Sequence, residues 1–141
     1  MSATSNAGPQ VLTVPDQMSS PIRDALTTVS QIVVDWTPLS SPSNGNSPIT
    51  SYLLEWDDGT SGASWYDLVG GSPLSTATTY TVTTTQSGGS LIAGTYYRFR
   101  VTARNIFGYG LTSNYIAIKA ATTPALVPSV STNIDSTTGN V

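Results

Sequence analysis

The stretch Leu91-Ile92-Ala93-Gly94-Thr95-Tyr96-Tyr97-Arg98-Phe99-Arg100-Val101-Thr102-Ala103-Arg104-Asn105 decides the fold. Residues 95–104 alternate with period two. Tyr97, Phe99, Val101 and Ala103 form one row; Arg98, Arg100, Thr102 and Arg104 form the other. Successive side chains of a strand point to opposite faces, so the first row is expected in a core and the second in solvent. Gly94 permits a tight turn ahead of the strand. Residues 105–110 read as a hairpin loop, with Gly108 and Gly110 suited to positive φ.

The same period recurs on both sides. In 31–37, Ile32, Val34 and Trp36 share a face, with Val33 and Asp35 opposite. In 49–56, Tyr52, Leu54 and Trp56 share one. Shorter strands are expected at 64–69, at 78–84 (Tyr80 and Val82 on one side) and at 113–119 (Ile116 and Ile118 inward). A segment around 17–22 contains Pro21, which implies an edge strand. Residues 38–48 hold three prolines and Asn44-Gly45, a loop signature, and Asp57-Asp58-Gly59 signals a turn. No window has a helical period. Several short strands at this spacing predict an all-β, antiparallel sandwich.

These residues resemble the fibronectin type III family. Trp36 ends one strand and Tyr52 lies in the next. The run Leu91-Ile92-Ala93-Gly94-Thr95-Tyr96-Tyr97 is similar to that family's Leu-x-Pro-Gly-Thr-x-Tyr corner, with Ala93 in place of Pro. The continuation through Phe99, Arg100, Val101, Ala103, Asn105, Gly108 and Gly110 is close to its sixth strand and following loop. The resemblance implies an immunoglobulin-like sandwich of about seven strands over residues 15–121. Its expected core includes Trp36, Tyr52, Leu91, Tyr97, Phe99 and Val101, with Trp36 between the sheets. It also implies that the corner tyrosine buries its ring and bonds its hydroxyl to backbone near Leu91.

The ends carry a second clue. Residues 1–14 read as a flexible tail or an exchangeable strand, since the polar run 1–10 gives way to apolar Val11, Leu12 and Val14. Residues 122–141 read as a linker, Pro124-Ala125-Leu126-Val127-Pro128. It is followed by the start of a next module or by a strand contacting a neighbouring subunit through Val130 and its surroundings. Residues 136–141 loosely repeat the 27–32 pattern about one module length later. Strand-like sequence without a sheet of its own needs a partner edge.

Composition narrows the function. Charged residues make up only 9% of the chain, and the net charge is −3. Nucleic acid is therefore a poor partner. Ser and Thr fill roughly 30% of positions, a surface that can carry O-linked sugars, as in a glycoprotein. There is no Asn-x-Ser/Thr acceptor, no Arg-Gly-Asp sequence and no apolar run long enough to span a membrane.

Residue types point away from catalysis. With no His and no Cys, the commonest general base and the thiol nucleophile are missing. The eight carboxylates fall mostly in turns or at outward positions. Asp57-Asp58 could bind a hard cation, but without further spaced ligands a turn is the simpler reading. Arg98, Arg100 and Arg104 could bind an acidic glycan or partner, or could pair across strands with Glu55 and its neighbours. Phe107 and Tyr109 are candidate interface anchors, or one ring folds back on the sandwich. Val33 and Leu53 are expected outward, where they would support packing against other modules.

The expectation is therefore a non-catalytic structural module of an extracellular or cell-surface assembly. It would need no cofactor or metal, and would be a bead of a tandem array or a filament protomer. Its partners would be further copies or adjacent modules, met through Val11, Leu12, Val14, Leu126, Val127 and Val130. The alternative is an adhesion module that recognises a protein or glycan through loops 38–48 and 105–110, with Phe107 and Tyr109.

Overall fold

A computed structural model describes residues 11–122. They form eight strands: β1 (Ile22–Arg23), β2 (Ile32–Asp35), β3 (Ile49–Trp56), β4 (Tyr66–Val69), β5 (Thr79–Val82), β6 (Tyr96–Asn105), β7 (Gly108–Tyr109) and β8 (Ile116–Lys119). One antiparallel sheet runs β1-β2-β5. The other runs β4-β3-β6-β7, with β8 also paired to β6. Two sheets face each other across one core, the sandwich arrangement.

The core follows from the alternation of β3 and β6. Their register sets Tyr52 opposite Ala103, Leu54 opposite Val101 and Trp56 opposite Phe99, all buried. Trp56 stacks on Tyr97 at 5.2 Å between ring centroids and leans on Phe99 at 5.9 Å. Aromatic contacts of this kind contribute about 0.5–1.5 kcal/mol beyond their burial. The facing sheet supplies Ile32, Val34, Trp36 and Val82. Trp36 is buried, but Trp56, at 0% exposure, holds the aromatic centre.

The last strand is interrupted. β7 and β8 both lie on β6, and between them Gly110 N–H bonds the Ala103 carbonyl and Ser113 N–H the Val101 carbonyl. Counting β7 and β8 as one broken strand gives the seven expected. β1 covers only two residues, at the sheet edge directly after Pro21. Proline offers no N–H to a ladder, so an edge start suits it.

Three expectations need correction. Val33 is not outward-exposed: it is 6% accessible. The connection after β1 turns back along β2, where Asp24 N–H bonds the Val33 carbonyl. The buried Thr27 hydroxyl accepts from Val33 N–H at 3.0 Å and lies 3.2 Å from its carbonyl. Leu53 is half-buried, with a methyl against Gly71. Gly110 is needed for close approach rather than for positive φ, which only Gly108 of the pair adopts. A Cβ on Gly110 would overlap the Pro15 carbonyl.

Candidate functional site

The sandwich has two ends, set by the direction of β6. At its Asn105 end lie residues 11–15, the 43–46 part of the proline-rich loop and the β6–β7 hairpin. At its Tyr96 end lie residues 92–95, the β3–β4 connection and Ala120–Ala121. A ten-residue strand separates the two by about 30 Å.

At the Asn105 end, the segment 11–14 is tied to its own module. Thr13 N–H bonds the Gly45 carbonyl at 3.1 Å, and Asp16 N–H bonds the Ser43 carbonyl at 2.8 Å. The Asn46 side-chain amide donates to the Val11 carbonyl. Buried Asn105 donates to the carbonyls of Thr13 and Asn44, at 2.7 and 2.9 Å, and accepts from Phe107 N–H. One side chain thus joins arm, loop and hairpin. A Cβ on Gly45, whose φ is +77°, would overlap the Thr13 carbonyl. Val11 is 73% and Leu12 58% exposed, while Val14 is half-buried near Gly108. Phe107 and Tyr109 both stay accessible, and Arg104 lies 5.6 Å from the Tyr109 ring centroid. Leu126, Val127 and Val130 lie outside the described residues.

The Tyr96 end is closed by buried polar groups. Tyr97 is buried, and its hydroxyl accepts from Ile92 N–H at 3.0 Å, beside buried Leu91. Toward the opposite end, Tyr52, paired with Ala103, likewise accepts from Leu39 N–H. Gly94, with φ of +84°, turns the chain so that its N–H reaches the Ala120 carbonyl. Asp57 opens the expected turn, with Thr60 N–H on its carbonyl, but its side chain is fully buried rather than solvent-facing. Its Oδ1 accepts from Gly59 N–H and Arg98 N–H, and its Oδ2 from Gly62 N–H. Both oxygens therefore hold backbone, which fastens the β3–β4 connection to β6. Among the described residues no group of three or more His, Cys, Asp or Glu could hold a metal ion.

Exposed apolar side chains cluster here too: Leu26, Val29, Ile92 and Tyr96. Close by, the Arg23 guanidinium bonds the Thr27 and Ala121 carbonyls. Asp24 accepts from Leu26 N–H, and that bond, with a further one from Asp35, holds its carboxyl below the usual range.

The arginine row keeps its predicted outward direction but finds mixed partners. Arg100 bonds Glu55 at 2.9 Å. Arg98 donates to the Ser61 carbonyl and lies 4.0 Å from Asp57. Its other neighbour is an aromatic ring, Tyr115. The cross-strand pairing expected with Glu55 thus holds for Arg100, while the aromatic neighbours are not legible in sequence, because period two gives the face of a residue and not its neighbours on other strands.

No helix among the described residues is long and apolar enough to cross a membrane. No curated protein matches the chain. Solved structures do. The sixth fibronectin type III domain of human fibronectin type III domain containing protein 3 is 24% identical with a TM-score of 0.58, over 91% of this chain and 99% of that one. A multi-domain piece of titin is 27% identical with a TM-score of 0.58, over 77% of this chain and 32% of that one. The FN1–FN3 domains of chicken CNTN1 share the fold at 18% identity and a TM-score of 0.58, over 78% of this chain and 35% of theirs. The chain thus spans about a third of those two multi-domain pieces. A family model described as fibronectin type III domain matches residues 20–119. That domain is a non-catalytic module, typical of tandem-module proteins. With the paired sheets, the tyrosine corner and this match together, the chain belongs to the fibronectin type III family.

Proposed function

We propose that the chain is a non-catalytic structural module of an extracellular or cell-surface assembly, joined end to end to adjacent modules or to further copies. The observation that carries this reading is the pair of apolar ends. Val11, Leu12, Ile106 and Phe107 are exposed at one, and Leu26, Val29 and Ile92 at the other. Each group sits where the chain enters or leaves the sandwich. The Asn105 end is also preorganised, because its arm, loop and hairpin are hydrogen-bonded together. Fixed surfaces lose less entropy on docking. Contact between unlike ends is heterologous, and if it does not close it makes a fibre. The multi-domain titin and CNTN1 structures are similar in fold and support an array of adjacent modules.

Sedimentation and electron microscopy test this. The chain should associate end to end as its concentration rises. Leu12→Ser with Phe107→Ser should abolish association, and so should removal of residues 1–14 and 124–141. Assembly unchanged in both would sink the reading.

A second reading is favoured by the join that Asn105 makes between the two loops. Loops 38–48 and 105–110 form one rigid surface carrying Phe107 and Tyr109, suited to a protein or glycan ligand. Phe107→Ala with Tyr109→Ala separates the readings: lost ligand binding with assembly intact favours recognition.

A further inference from the structure

The chain has five basic residues and a net charge of −3. Four of the five stand on the outer face of one sheet. Arg98, Arg100 and Arg104 project from β6, and Lys119 projects from β8, opposite Tyr96. Each is matched with an aromatic ring. Arg100 lies 4.0 Å from the Trp65 centroid, Arg98 4.8 Å from Tyr115, Arg104 5.6 Å from Tyr109 and Lys119 5.8 Å from Tyr96. Trp65 and Tyr115 also touch each other, which makes the central part continuous. The rings remain reachable: Tyr96 is 57%, Tyr115 50% and Tyr109 43% exposed.

Two of these four cations, Arg104 and Lys119, are not neutralised where they stand. Among the described residues only Arg100 has a close carboxylate, Glu55, while the Asp57 near Arg98 is buried and bonded to three N–H groups. Arg104 and Lys119 have no carboxylate within ion-pair distance among those residues. An acidic chain has thus gathered its positive charge on one aromatic face.

We infer that this face binds an acidic polysaccharide, one bearing uronate or sulfate groups. Such a chain offers both things the face can recognise. Its sugar rings present C–H surfaces that lie flat on tyrosine, and its anions suit the guanidinium fork. The ring beneath each cation holds it in place before binding, which reduces the ordering cost. The spacing agrees. Arg98 to Arg100 is about 7 Å along β6 and Arg100 to Arg104 about 13 Å, at ~3.3 Å per residue. That sparse row fits a polymer with separated charges better than duplex DNA, with a charge every ~1.7 Å. A second copy is a weaker occupant, because the acids Asp24 and Asp35 on its other sheet sit beside Arg23.

The test uses the whole chain and four immobilised polymers: polygalacturonate, dextran sulfate, neutral dextran and oligo(dT). Binding to polygalacturonate or dextran sulfate is expected, weakening with salt, and which of the two binds names the anion. Arg104→Gln with Lys119→Gln should weaken it at least tenfold and lower the salt slope by about 2. Among the described residues those side chains make no hydrogen bond that the fold needs, and an unchanged melting temperature checks this. Tyr115→Ala should weaken binding with the charge intact. Equal binding by the double variant, equal binding to neutral dextran, or tighter binding to oligo(dT) would each overturn the inference. The outcome is independent of the end-to-end reading, which sedimentation decides.

Discussion

At the Tyr96 end, a buried carboxylate and a buried phenol hold the backbone of residues that already belong to the sandwich. At the Asn105 end, two neutral amides hold an arm 92 residues away from Asn105 in sequence. The first arrangement cannot come undone without opening the core, because Asp57 and Tyr97 lie under it. The second holds residues 11–14 from outside both sheets, by hydrogen bonds from buried Asn105 and with the 43–46 loop. One end is therefore locked from within the core and the other is fastened across it, and both keep exposed apolar side chains for contacts.

Three substitutions would break or sharpen the contrast. The largest effect is expected from Asp57→Ala, which leaves three N–H groups around a buried site without their acceptor. Unfolding by urea should show a loss of about 3–5 kcal/mol. A midpoint close to that of the unaltered chain would mean that the carboxylate is not a lock. Asn105→Ala comes next. It removes two donated bonds and one accepted one, and about 2 kcal/mol should be lost. Amide exchange should accelerate at Thr13 and Asp16 while β3 and β6 stay protected; faster exchange throughout would show that the two ends are not separate. The smallest is Tyr97→Phe. It keeps the ring stacked on Trp56 and removes only the bond from Ile92 N–H, which predicts a loss of about 1 kcal/mol in thermal or urea unfolding. A cost above that of Asn105→Ala would reverse the ranking.

Much of the fold can be read from residues alone where alternation is long. β3 spans Ile49–Trp56, the range its sequence predicts, and β6 is displaced by one residue from 95–104. Both are central strands, so one face must be apolar along their whole length. Short strands are less legible. The segments 64–69, 78–84 and 113–119 each hold a four-residue strand, because few residues there find a partner. The candidate site is less legible still. Phe107 and Tyr109 are visible as loop aromatics, and Val11 and Leu12 as an apolar stretch. Nothing in sequence brings Thr13 to Asn105, because the bond joins a backbone carbonyl to a side chain across almost the whole module.

By itself, then, the sequence determined two antiparallel sheets, the inward row from Tyr97 to Ala103 and the outward arginines. Local periodicity is enough for these, since a strand's faces are fixed by its own geometry; the tyrosine corner came from the resemblance of residues 91–97 to the family's run. Only the tertiary structure decided which group fills each place. It put Trp56 at the aromatic centre, buried Val33 beneath a returning loop, turned Asp57 into a backbone lock and set an aromatic ring against each outward cation. Each of these depends on a neighbour brought from another strand, and burial and pairing energies exist only after those strands have met.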